Sequence, residues 1–575
     1  MGKGTGRAFD RVSPVLWEVQ VSEQSVSFQE VLRTLQSRRA AWAATPAPRR
    51  VALLRECLAQ TRHVAQAWVD AACEARGLDP RGPLGGEEWL SGPYVLMRHL
   101  RLLAECGEGK DASLPARLLE GRTVAQVFPR TPIERMLWMG FRGEVVLAEG
   151  ASPERGQAWR RIGGPGRLAL VLGAGNITSI AACDALHMLF AENSVVLVKL
   201  NPLLDSLQPV LEQALAPLVR EGFLAFCRGG AREADELALD PAVEAVHLTG
   251  SRRTFQSLVW GQEAAAGPSG VPRLQVPITA ELGCVTPVLV VPGTWAEADL
   301  AYQARHVASM IYHNAGFDCA AAQVLLTDRA WPQRSAFLNC LRRELANLPA
   351  RPAWYPGAAS RHAELAGQHP QAEFLGASSE RGVPWTLVPD IPLEEGQPAL
   401  TQEAFCGLLF EAPVQAGGAM PFLDHAVAAA NQKVWGNLSC VLLVDPRTAR
   451  QHARALESAI HRLEYGSVGV NAWAGVAFGL PELPWGAAPG NTLADVRSGL
   501  GFVHNVHGFE NVQKGVLRGP FRTFHTPPWF ARHRNLPDLG RALCDLEAAP
   551  DWPTAFRVLA ETLRGGLPPG VPGGR

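Results

Sequence analysis

The spacing of apolar and polar residues changes character twice along the chain. Over 27–104 apolar residues recur every three or four positions, as in VLRTLQSRRAAWAA and ALLRECLAQTRHVAQAWVDAACEA, which predicts amphipathic helices. From Arg167 short, wholly apolar, β-branched runs take over. LALVLG, SVVLVKL and AVEAVHL read as strands, separated by a helix through His187 and another over LQPVLEQALAPLVREG. Apolar strands alternating with helices predict a parallel sheet covered on both faces. A second series opens near Thr279. Its strands are PVLVV, QVLLT, GLLFEAPV and CVLLVD, and its helices include ADLAYQARHVASMIYH, RSAFLNCLRRELANL, LDHAVAAANQ and TARQHARALESAIHRL. This second α/β unit is expected to run to about Trp485. GFVHNVHGFENV and VLRGPFRTF then read as extended, 536–564 as helical, and the Pro/Gly-rich end GGLPPGVPGGR as frayed.

Composition narrows the classes. With 575 residues, 47% of them hydrophobic, the chain is long enough for several domains with a cleft between them. A net charge of -1 gives no footprint for nucleic acid or for anionic membranes, so a small molecule is the expected partner. The most apolar stretch, 168–183, is interrupted by Gly173, Gly175 and Asn176, which fits a strand and turn rather than a membrane span. The opening MGKGTGRAFDRVSPVLWEVQ lacks the apolar run of a secretory signal, and a cytoplasmic location is expected. Eleven cysteines are scattered without a CxxC pair or any Cys/His spacing that builds a zinc site, so reduced thiols and no metal are expected.

Several segments carry chemistry. GAGNIT, 173–178, follows an apolar strand and opens a helix, where α/β sheets bind ligands; its Asn176 can donate to an oxyanion or merely cap the helix. Lys199 ends the next strand, at a ribose or phosphate position or simply in solvent. In VHLTGS, Gly250 and Ser251 open a helix that either faces a pyrophosphate or is capped. Glu281 in ELGCVTP and Cys319 in HNAGFDC stand at the starts of neighbouring strands. A carboxylate and a thiol sharing one cleft would supply a base and a nucleophile for thioester chemistry. Cys319 can also be a small buried hydrophobe, and its pairing with His313 in a protease-like dyad is the poorer reading.

The order of these motifs, with ExF at Glu403 to Phe405, Asn471 in GSVGVNAWAG and the turn PWGAAPG at 484–490, resembles the aldehyde dehydrogenase superfamily over about 135–521. The resemblance implies an α/β fold with a Rossmann-like cofactor domain, an α/β catalytic domain and a small strand arm for oligomerisation. The implied division is 1–135 as the helical part of the cofactor domain, 136–158 as the first part of the arm, and 159–280 as the NAD(P)-binding domain. The catalytic domain follows at 281–485, the return segment and arm at 486–522, and a C-terminal extension at 523–575. The arm would use FRGEVVLAEG and NVQKGVLRGPF to join subunits into a homodimer or homotetramer.

Residue by residue, the resemblance implies Cys319 as nucleophile, Asn176 as oxyanion donor and Glu281 as the base that activates water. For NAD or NADP it implies Lys199, Gly250, Ser251 and Glu403 as contacts and Phe405 beside the nicotinamide. The implied activity is oxidation of an aldehyde to a carboxylic acid through a cysteine thiohemiacetal and thioester. The alternatives are a coenzyme A-acylating relative, or acyl-thioester reductase, and a cofactor-binding homologue with impaired turnover. Three departures stand out: Cys284 and Val285 after Glu281, Asp318 directly before Cys319, and no acidic residue in LNP after Lys199.

Overall fold

The computed structural model describes residues 27–110, 114–261, 270–376 and 382–566. The readings made for the first twenty residues, and for the tail from 567 onward, lie outside this set.

The apolar runs form two sheets. The first has six strands in the order Gly499–Leu500, Ile278–Leu282, Ala245–Gly250, Arg167–Leu172, Ser194–Lys199, Leu224–Cys227. All are parallel except the short Gly499–Leu500 strand at one edge. Strand order reverses beside Arg167–Leu172, leaving a crevice at the carboxyl ends of the strands, the usual ligand position in such sheets. Helix Phe28–Ala44 covers the sheet with Trp42 buried, and Ala47–Arg76, with Trp68 buried, packs in turn on the helices around it. The single helix expected over 207–222 is broken at Leu215. Pro217, near the start of the second piece, has no N–H to continue the ladder.

The second sheet has eleven strands. From one edge they run Ala116–Leu119, Arg122–Phe128, Arg142–Glu149, Val512–Arg518, Ser467–Val470, Ser439–Leu443, Thr286–Val290, Ala322–Asp328, Leu408–Val414, Trp385–Val388 and Glu373–Leu375. The seven from Val512–Arg518 to Trp385–Val388 are mutually parallel, and antiparallel strands finish both ends. The two strands at 116–128 fall inside the segment expected to be helical; RTVAQVF carries the Thr, Val and Phe that favour strands. The arm strands lie in the chain's own sheet. Val512–Arg518 pairs with Ser467–Val470 on one side and Arg142–Glu149 on the other. Lys514, buried on that strand, donates to the carbonyls of Ile460, His461 and Leu463, closing the end of helix Ala453–Arg462. The chain passes from the first sheet to the second over 283–285, a little later than the sequence reading placed the change.

The C-terminal extension folds as two helices, Leu536–Ala548 and Trp552–Gly566. The first lies against helix Gly85–Ser91 so closely that a Cβ on Gly540 would fall 2.2 Å from Cβ of Trp89. An ionic cluster anchors it. Buried Arg98 bridges Glu134 and Glu547 at 3.0 Å each and also reaches Glu482, while Arg101 Nε bonds Glu547 at 2.6 Å. Charges so deeply buried are retained only when paired, and here the pairs join four separate segments.

Candidate active site

Cys319 sits in the turn between His313–Gly316 and the strand Ala322–Asp328. Its approach is unusual backbone: Asn314 and Ala315 have φ of 47° and 56°. Side chains hold that conformation. Asn314 Nδ2 donates to the carbonyls of Asn176 (3.0 Å) and Phe317 (3.1 Å), and its backbone N–H donates to Glu87 Oε2 at 3.1 Å. Glu87 is fixed in turn by Arg351 at 2.6 Å.

The thiol faces Glu281. Cys319 Sγ donates to Glu281 Oε1 at 3.8 Å, and the same oxygen accepts from Trp485 Nε1. Glu281 Oε2 is buried and has no hydrogen-bond partner among the described residues. The two residues do not come from neighbouring strands of one sheet, as the sequence suggested. Glu281 ends a strand of the first sheet, Cys319 precedes a strand of the second, and the pair meets where the sheets adjoin. Burial pushes the Glu281 carboxyl up to about 8, helped by the charge of Asp184 and opposed by the Trp485 hydrogen bond. Burial also pushes the Cys319 thiol well above its usual value, and Glu281 and Asp318 add to the rise. Both groups therefore keep their protons at neutral pH.

Asp318 turns to His313, with Nδ1 to Oδ2 at 2.9 Å. That pairing occupies His313 and leaves Glu281 as the partner of Cys319. Asn176 Nδ2 donates to the Phe317 carbonyl at 2.9 Å, so its amide holds the cysteine turn two residues upstream of the sulfur. Asn471, at a φ of 54°, clips Val444 through both its carbonyl and its amide, a structural part.

Two cavities converge here, and Glu281, Cys319 and Ile180 line both. One, of about 490 Å³, lies at the carboxyl edge of the first sheet and gathers Gly173, Gly175, Lys199, Gly250, Glu403 and Phe405. Lys199 is buried, with its amine pushed down by that burial, and makes no hydrogen bond or ion pair with the described residues. Glu403 accepts from the Cys284 N–H at 3.1 Å, and a Cβ on Gly283 would lie 2.0 Å from its Oε2, so only glycine lets the carboxyl in. Burial raises Glu403 to about 7. Phe405, at a φ of 46°, packs on Tyr355 at 5.0 Å. Ser251 caps helix Arg252–Trp260, accepting from the Thr254 N–H at 3.1 Å. The second cavity, of about 520 Å³, opens on the other side of Cys319 and is walled largely by apolar side chains.

A family model described as the aldehyde dehydrogenase family matches residues 178–356, a span that contains Lys199, Gly250, Ser251, Glu281 and Cys319. Solved structures agree in fold. Aldehyde dehydrogenase C of Pseudomonas syringae, a mutant complexed with NAD+ and octanal, has a TM-score of 0.59 at 16% identity, covering 87% of this chain and 90% of that one. Residues 178–356 thus match the aldehyde dehydrogenase family, and the chain has the aldehyde dehydrogenase fold. An NAD-dependent aldehyde dehydrogenase of Sinorhizobium meliloti gives a TM-score of 0.57 at 20% identity, covering 87% and 88%. An NADP-dependent glyceraldehyde-3-phosphate dehydrogenase of Bacillus halodurans gives 0.58 at 15%, covering 85% and 90%. No curated protein matches the sequence. Two groups that act on the site through Glu281 were missed by the sequence reading: Trp485, which donates to it, and Asp184, whose charge raises it. His313, weighed there as a dyad partner of Cys319, pairs instead with Asp318.

Proposed function

We propose that the protein is an NAD(P)-dependent aldehyde dehydrogenase that oxidises an aldehyde to a carboxylic acid. The observation that carries this reading is the Cys319–Glu281 contact at the meeting point of two cavities, so one nucleophile faces a cofactor from one side and a substrate from the other. The unpaired ammonium of Lys199 and the buried carboxyl of Glu403 suit the hydroxyls and phosphates of a nicotinamide dinucleotide, with Gly250 and Ser251 at its pyrophosphate and Phe405 beside its ring. Such a cofactor supplies the two-electron acceptor.

The remaining steps belong to the chain's own residues. In the deprotonated fraction of Glu281 the carboxylate takes the Cys319 Sγ proton, the sulfur attacks the aldehyde carbon to form a thiohemiacetal, and Glu281 then gives that proton up to solvent. The amide of Asn176, released from Phe317, and the Cys319 N–H would stabilise the alkoxide. After oxidation to the thioester, deprotonated Glu281 takes a proton from water, which displaces the sulfur and releases the acid. Cys319→Ser is expected to abolish turnover and retain cofactor binding. Glu281→Gln is expected to slow steady turnover at least tenfold, with any first burst of reduced cofactor reporting acylation separately. Full activity in Cys319→Ser would overturn the mechanism.

A second reading has its own support. Because burial keeps Glu281 protonated at neutral pH, the thioester would persist long enough to pass to coenzyme A. Reduced-cofactor formation measured with and without coenzyme A, using NAD and NADP separately, separates the two. The homodimer or homotetramer implied by the resemblance is a further proposal, tested by sedimentation.

A further inference from the structure

We infer that the substrate is an uncharged aldehyde with a long apolar body, and that the C-terminal helical pair forms the far wall of its binding site. This deepens the proposed function and rests on Cys319 as the reacting group. The cavity beyond Cys319, about 520 Å³, falls within the roughly 300–1,000 Å³ of sites that bury a drug-sized ligand. A two- or three-carbon aldehyde would leave most of it unfilled. One end carries Cys319 and Glu281. The rest includes Leu539 and Leu543 from the helix Leu536–Ala548, and Val558 and Leu559 from Trp552–Gly566. These residues belong to the extension, whose role the sequence left open.

Apart from Glu281 at the reacting end, the charged groups on the cavity wall are paired, and the buried Trp529 Nε1 and His525 Nδ1, which have no hydrogen-bond partner among the described residues, belong to uncharged rings. Asp318 pairs with His313, and Arg522 pairs with Asp299 at 3.2 Å while stacking over Tyr302. Burial lowers His525, keeping it neutral. A substrate carrying a carboxylate or phosphate would lose its water and meet no unpaired cation there, at a cost that an apolar body avoids. Met139 and Phe524, both lining the cavity and both largely exposed, give it an apolar mouth. The wall is also fixed in place: the Glu547 bridges to Arg98 and Arg101, and the contact of Gly540 with Trp89, dock the extension on the body of the protein.

The test compares kcat/KM for acetaldehyde, hexanal and dodecanal in the full chain. The wild type is expected to favour dodecanal over acetaldehyde by at least about tenfold, since even a single methylene in an apolar pocket is worth roughly 10- to 200-fold. Leu559→Trp, which fills the far end, is expected to cut that preference about tenfold, and Leu543→Ala to move the optimum to a longer chain. Binding of dodecan-1-ol, followed by fluorescence of the cavity tryptophans, gives a readout independent of turnover. If no aldehyde reacts but dodecan-1-ol binds and Leu559→Trp weakens it, the proposed activity fails and the apolar site stands. A preference for acetaldehyde or a phosphorylated aldehyde, no binding of dodecan-1-ol, or a chain-length profile unmoved by both variants overturns the inference.

Discussion

Glu281 has to be deprotonated both to take the thiol proton and to activate water, and Trp485 acts on that balance. The indole N–H stabilises the charged carboxylate and so opposes the burial that holds the group at about 8. The slow phase of turnover, limited by deacylation, is therefore expected to rise with pH and level off above about pH 8. Trp485→Phe removes the donor and should move that limb to higher pH with the burst retained; a limb that stays in place or moves down contradicts the assignment. The sequence made Glu281 and the PWGAAPG turn visible separately. Their contact joins positions far apart in the chain across two sheets, and no periodicity encodes such a pair. The role of Asp318 was equally hidden: as a neighbour of the cysteine it looked like a perturbing charge, and only the fold brings His313 against it.

At the scale of elements, the apolar runs marked nearly every central strand, because strands covered on both faces must be apolar throughout. The order in which they pair was not legible. Nothing in NVQKGVLRGPF says that its strand lies between Ser467–Val470 and Arg142–Glu149, since a strand's own residues carry its period and not its neighbours. The same holds for the extension, whose helical pattern was readable and whose docking was not. That docking depends on the absence of a side chain at Gly540, over Trp89. Gly540→Ala is expected to force the helix outward despite alanine's better helix propensity, lowering Tm and exposing the 536–566 segment to limited proteolysis. The cost should fall in the roughly 1–3 kcal/mol range of overpacked contacts. Unchanged Tm and protease resistance would mean the helix has room to shift.

Across the whole molecule, burial of titratable groups sets the response to acid. His99, His306, His504 and His533 are buried, and desolvation holds their values below the usual 6.5, to about 3 for His306 and about 4 for His504 and His533. The unfolded chain binds protons at these sites first, so the stability they contribute is complete above about pH 6.5 and is lost as pH falls toward about 4, at about 1.4 kcal/mol per unit of separation. Glu88, Asp205, His247, Glu281, His313 and Glu403, all raised, act in the opposite sense, but they are outnumbered by the lowered histidines, which also include His187, His362, His369, His461 and His525. Tm is accordingly expected to drop between about pH 6.5 and pH 4, a fall that calorimetry would detect and that a flat profile would refute. The place of Val512–Arg518 within the large sheet has a consequence for biosynthesis. The ribosome delivers Arg122–Phe128 and Arg142–Glu149 among the first strands of that sheet, yet the strand that joins them to the remaining sheet is made only after every other strand of it. Until then the nascent chain exposes two unpaired edges, the kind of surface that chaperones cover. Assembly of this sheet thus waits for its last-made strand, and a message truncated before codon 512 would yield two halves with no strand to bridge them.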